Sequence, residues 1–111
     1  MNSTFYIERV VLASALNSGM PLELSKDYFT TPFHQKLASE IKQLKKLGEY
    51  VDFETLRHKF IKDKKWNIQE DEMLTDIMTN TTPFGSHQMI NAYINILKEQ
   101  SKMNLDRRFA I

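Results

Sequence analysis

Residues able to hold a metal, a phosphate or a labile proton are few in this chain and far apart. The three histidines, His34, His58 and His87, do not share the spacing that sets two imidazoles on one helical face, and with no cysteine in the sequence no thiolate can complete a site. The absence of cysteine also removes a disulfide framework and a thiol nucleophile, as expected of a protein that works in a reducing compartment. A phosphate cradle needs clustered glycines so that backbone N–H groups can approach the anion. Gly19, Gly48 and Gly85 are widely separated, and none leads into a Lys-Ser/Thr pair. The reading from chemistry is therefore no catalytic residue, no metal site and no bound cofactor. The carboxylates Glu70, Asp71, Glu72 and Asp76 fall in the first turns of a helix, where its dipole favours acids, and are expected to be solvated there. His34, near the start of its own helix, reads as a packing and hydrogen-bonding residue rather than a general base.

One cluster has the composition of a contact surface. Arg57, His58, Lys59, Lys62, Lys64 and Lys65 lead directly into Trp66, the sole tryptophan. Basic side chains interleaved with an aromatic suit phosphate contact with base stacking, and equally an acidic protein partner. The same residues also read as the solvated face of a helix and its loop, with Trp66 folded onto the core. Arg57, Lys59, Lys62, Lys64, Lys65 and Trp66 are the candidate partner or nucleic-acid surface. Fifteen basic against fourteen acidic side chains leave a net charge of +1, so no global field draws the protein to DNA or to an anionic membrane.

The elements that carry these residues all read as helices. At 111 residues and 41% hydrophobic content the chain supports one core. From Phe5 to Leu16 the apolar positions cover more than half of a helix, which marks it as central. Asn17-Ser18-Gly19 stops it, with Gly19 the left-handed terminator, and Pro21 to Ser25 reads as a turn or a single helical turn. Thr31 as cap and Pro32 at the first helical position open the next helix, whose stripe is Phe33, Leu37, Ile41 and Leu44, and Gly48 ends it. Asp52 caps a third helix with Phe53, Leu56 and Phe60 inward, and Lys62 to Trp66 forms a polar connection. Asn67 and Glu70 form a capping box before a buried face of Met73, Leu74, Ile77 and Met78. Thr79 to Gly85 is a loop by composition, and Ser86 caps a last helix with Met89, Ile90, Tyr93, Ile94, Ile96, Leu97, Met103 and Leu105 as apolar positions. The expected fold is all-α: a single compact orthogonal bundle of about six helices. No segment has the length and apolarity of a membrane span or the pattern of an export signal.

In order and spacing these packing positions are similar to a known family. Phe29-x4-His34-x2-Leu37, Gly48-x3-Asp52-x3-Leu56 and Ile90-x2-Tyr93-x2-Ile96-x2-Glu99, with Glu8 ahead of Val11-Leu12, Asp27 before Phe29, and the Thr82-Pro83 loop, resemble the N-terminal domain of bacterial replicative helicases of the DnaB type. The chain differs from the family pattern in a charged stretch around Trp66 to Met73 and in Asn104, where the family has Gly-rich and Arg positions.

That resemblance implies a non-catalytic collar domain of a hexameric DNA helicase, assembling subunits and contacting primase within the cytoplasmic replication machinery. ATP and magnesium would belong to the motor domain, absent here, and single-stranded DNA would bind weakly or not at all. Residues 1–111 would be the globular part, running into the start of a helical hairpin, and Met103, Leu105 and Phe109 of the last helix are candidates for self-association. Two other readings accompany it: the helicase-binding C-terminal domain of primase, which resembles the same fold, and a small free-standing replication adaptor or nucleic-acid-binding protein.

Overall fold

Five α-helices and one 3-10 turn carry the architecture. A computed structural model of the chain describes residues 3–18, 24–63, 65–82 and 86–109. The helices are α1 (Ser3–Ser18), α2 (Pro32–Lys46), α3 (Phe53–Asp63), α4 (Ile68–Asn80) and α5 (His87–Phe109), with the 3-10 turn at Lys26–Tyr28. The all-α bundle is as the pattern requires. The sixth helical element is that single turn, capped by Ser25, whose hydroxyl accepts the Asp27 N–H.

α1 is the axis of the core. Every residue from Val10 to Leu16 is buried, including Ser14, whose hydroxyl donates to the Val10 carbonyl at 2.7 Å and so costs the core no unpaired group. α2, α4 and α5 all pack on α1, and the 3-10 turn wedges between α2 and α5. The buried faces are Phe33, Leu37, Ala38, Ile41 and Leu44 of α2, Leu56 and Phe60 of α3, Leu74 and Ile77 of α4, and Ile90, Ile94 and Leu97 of α5. Each fully buried Leu, Ile or Phe contributes about 2 kcal/mol of transfer free energy.

The helix ends show which local signals the fold uses. After α2, Gly48 adopts φ +78°, and its N–H and that of Glu49 return to the carbonyls of Lys45 and Leu44, both at 3.0 Å, which closes the helix in a Schellman motif. Asp52 accepts the Thr55 N–H at 2.8 Å while the Thr55 hydroxyl accepts the Asp52 N–H at 2.9 Å. Asn67 and Glu70 make the full capping box. Ser86 caps α5 through the Met89 N–H at 3.4 Å. Thr31 departs from expectation: it occupies the N-cap position of α2, yet its hydroxyl makes no capping bond.

Other boundaries shift by a turn. α1 extends beyond Phe5–Leu16 at both ends, Lys62 and Asp63 belong to α3, and Thr79 and Asn80 to α4. Met73, expected on the buried face of α4, is 41% exposed; the helix touches the core on a narrow stripe that Leu74 and Ile77 fill. The Gly19 terminator, Pro21 to Glu23, and Pro83 to Gly85 lie outside the described residues.

Three substitutions separate these local roles. Gly48→Ala meets nothing within 4 Å, so its cost is the backbone's alone, and urea unfolding should show a loss of about 1 kcal/mol. Asp52→Ala should lose about as much by removing a working cap. Thr31→Ala, whose hydroxyl caps nothing, should stay within about 0.5 kcal/mol of the parent protein.

Candidate functional site

The residue around which the polar interior is organised is Glu8, a carboxylate with no exposed surface. An unpaired charge there would be prohibitive, so the chain surrounds it with donors. The Thr30 N–H donates to Oε1 at 3.0 Å, the Thr30 hydroxyl to Oε2 at 2.7 Å, the Thr31 N–H to Oε1 at 3.4 Å, and His34 Nδ1 lies 3.0 Å from Oε1. A carboxylate only accepts, so His34 carries a proton on Nδ1. Burial pushes the Glu8 carboxyl up, but the hydrogen bonds from His34 and Thr30 outweigh it and hold the group below its ordinary value. These bonds tie the segment just before α2 to a side chain of α1, while Thr31 itself makes no side-chain cap.

Three aromatic rings enclose His34. Phe5 stacks on it at 5.1 Å between centroids, and Phe29 and Phe33 approach on edge or tilted at 6.5 Å. Above this cluster lies a groove of about 100 Å³ between α1, the start of α2 and α4, lined by Phe5, Phe33, His34, Met73 and Ile77. Its rim is Arg9, which donates to the Asp76 carboxylate at 2.6 Å, to the Asp76 carbonyl at 3.0 Å and to the Thr81 hydroxyl at 3.0 Å. The groove has room for about one apolar side chain, and its polar lining is His34 and Thr31 with Arg9 and Asp76 at the edge. Among the described residues no three metal-ligating groups converge.

Three of the four acids expected to be solvated on α4 are engaged by other helices, while Glu72 is exposed. Glu70 accepts from Lys36 of α2 at 2.7 Å, Asp71 pairs in two-pronged fashion with Arg57 of α3 at 3.0 and 3.1 Å, and Asp76 takes Arg9 of α1. Lys36 holds the Glu70 carboxyl below its usual range, and Asn80 followed by Arg9 does the same for Asp76. Helical spacing sends these acids to three different elements, an outcome set by how the helices dock.

The structure places the basic cluster partly inside this network. Arg57 belongs to Asp71, and Lys59 pairs with Glu49 at 3.0 Å. Trp66 lies against the core: it stacks on Phe60 at 4.2 Å and 8°, and meets Phe33 on edge at 5.3 Å. Its indole N–H is buried and has no protein hydrogen-bond partner. Lys62 and Lys65 are exposed, the latter 5.9 Å from the Phe60 ring, and Lys64 lies outside the described residues. On α5, Met103 is 50% exposed, while the side chains of Leu105 and Phe109 lie outside the description.

The model of the DnaB-like helicase N-terminal domain family matches residues 1–99, nearly the whole chain. The chain belongs to the DnaB-like helicase N-terminal domain family. No curated protein and no solved structure matches it.

In this DnaB-like domain several of the positions that carry the likeness hold the helices together, while Asp27, Ile96 and Glu99 are exposed. Glu8 and His34 form the buried pair, Phe29 covers the imidazole, Gly48 closes α2, Asp52 opens α3, and Ile90 seats α5. Arg9, Phe5 and Met73 were not singled out from the sequence as lining one groove. A signal for Glu8 was present: it is an acid one turn before Val11 and Leu12 on an otherwise apolar face, where a lone charge requires a partner.

Glu8 makes acid sensitivity predictable. Its carboxyl is held below the ordinary value of 4.5, so its contribution is complete above that pH and is lost as pH falls through the lowered native value. Glu8→Ala, which strands His34 and the Thr30 N–H, should cost roughly 3 kcal/mol in urea unfolding at neutral pH. Glu8→Gln should be less stable at neutral pH, and its melting temperature should fall less steeply than the parent's below about pH 5, where the parent loses the carboxylate's contribution.

Proposed function

We propose that this chain is the collar segment of a replicative DNA helicase, a non-catalytic domain through which the ring's subunits assemble and primase is received. The observation that carries this reading is the family match across residues 1–99. It is supported by a sequence without a glycine-rich phosphate loop and by a polar interior given to structure, with side chains such as Phe5, Met73 and Met89 left available for contact. ATP hydrolysis then belongs to the parent helicase's motor and not to these residues. The domain would work in the cytoplasm; no helix among the described residues is long and apolar enough to cross a membrane. The exposed Lys62 and Lys65 beside Trp66 give one face for primase, and the Phe5–Met73 groove gives another.

Calorimetric titration of this chain with the helicase-binding domain of the same organism's primase tests the proposal, and the single tryptophan reports where binding occurs. Saturable heat is expected, with none from ATP and magnesium. Single-stranded DNA should bind weakly at low salt and be released by physiological salt. A change in Trp66 emission on primase addition would put the contact at the α3–α4 junction; heat without that change would put it on the groove or on α5. A folded protein that gives no heat with primase at about 100 μM, weaker than any contact worth about 5.5 kcal/mol, would overturn the primase role.

A further inference from the structure

His34 spends one ring nitrogen on the core and keeps the other. The side chain is only 4% exposed, its Nδ1–H donates to the Glu8 carboxylate at 3.0 Å, and Phe5 stacks on the ring face. With the proton held on Nδ1, the neutral imidazole leaves Nε2 as an acceptor. Among the described residues Nε2 has no partner, yet it is not sealed from solvent as the Trp66 indole nitrogen is. The open space beside the ring is the groove that His34 lines with Phe5, Phe33, Met73 and Ile77. A single acceptor, aimed by a buried carboxylate and set in an apolar hollow, has the makings of a ligand site.

We infer that this groove binds a small neutral molecule consisting of one aromatic ring with a hydroxyl, the hydroxyl donating to His34 Nε2 and the ring lying against Phe5, Phe33 and Met73. The donor is required by Nε2, which in this tautomer only accepts. The ring is favoured by the walls, where two phenyl groups and a thioether reward an aromatic over an alkyl chain. Charge is disfavoured by the polar atoms: an anion would face the Nε2 lone pair and the Asp76 carboxylate, while Arg9 is already bonded to Asp76 and Thr81. A phenol, with an ordinary pKa of roughly 10, is uncharged at neutral pH. The volume of about 100 Å³ suits one ring and not two. A tyrosine of a partner protein would bring main chain to the rim, where Arg9 and Asp76 are committed to each other, so the ligand is a free small molecule. The site is independent of any part the chain plays in a helicase.

Nitrogen NMR of the imidazoles in the intact chain, with p-cresol, toluene and benzoate as probes, tests the inference. The free protein should show His34 protonated on Nδ1 and bare on Nε2. p-Cresol should bind with a Kd of about 1 mM and about fivefold more tightly than toluene, which lacks only the hydroxyl. It should move the His34 Nε2 resonance and leave those of His58 and His87 in place, and benzoate should not bind. In His34→Asn the amide still donates to Glu8 from the place of Nδ1 but nothing replaces Nε2, so p-cresol should bind no better than toluene once circular dichroism shows the variant folded. Should that variant not fold, the Nε2 response to p-cresol against toluene decides alone. The inference is overturned by a protonated Nε2 in the free protein, by equal affinity for p-cresol and toluene, by benzoate binding as tightly as p-cresol, or by no p-cresol binding at about 5 mM. N-acetyltyrosinamide binding more tightly than p-cresol would overturn it too, by giving the groove to a partner's tyrosine.

Discussion

A carboxylate in the middle of an apolar core dictates much of this fold. Glu8 has no access to water, and a charge in that position is tolerable only with its oxygens filled by donors. The donors come from Thr30, Thr31 and His34, at and just before the start of α2. Satisfying the charge therefore fixes where α2 begins relative to α1. It also draws the imidazole between Phe5, Phe29 and Phe33, so one electrostatic requirement positions an aromatic cluster and the floor of the groove above it. Hydrophobic burial alone would accept α1 and α2 at several angles; the directional bonds accept few.

α4 is held by a different balance. Its apolar contribution is narrow, mainly Leu74 and Ile77, but its acids reach Lys36, Arg57 and Arg9 on three other helices. Each pair is partly exposed and individually modest, since water and salt screen it. Their value is in orientation: three bridges to three helices leave the helix little freedom to rotate. Lys36 acts twice, bonding Glu70 at 2.7 Å and lying 6.0 Å from the Trp66 ring, so the α3–α4 connection is fastened at its aromatic residue. The basic character of that connection is in this way partly consumed by the structure, leaving Lys62 and Lys65 exposed on it.

Histidine and carboxylate, the residues most able to perform acid–base chemistry, are bound to each other and to backbone, while the α1–α4 groove and the outer face of α5 present apolar side chains to solvent.

The sequence by itself determined the helices and most of their ends, because those depend on neighbours only a few residues away. The 3.6-residue patterns, the Asp52 and Asn67 caps, Pro32 at the start of α2 and Gly48 at its end are local physics and were legible as such. The order of packing positions was legible too, and it carried the family. Only the tertiary structure decided what long-range partners each polar group finds. Glu8 meets His34 twenty-six positions away, Arg9 meets Asp76 sixty-seven positions away, and Thr31 holds the N-cap position while its own N–H turns to the distant Glu8 carboxylate. Met73 and Leu74 are adjacent in an apolar run, yet one is exposed and the other buried, since the docking angle of α4 selects the stripe. Local spacing gives a side chain its direction from its own helix; which charge or ring stands opposite depends on how separate helices meet, and that geometry is settled by the whole core at once.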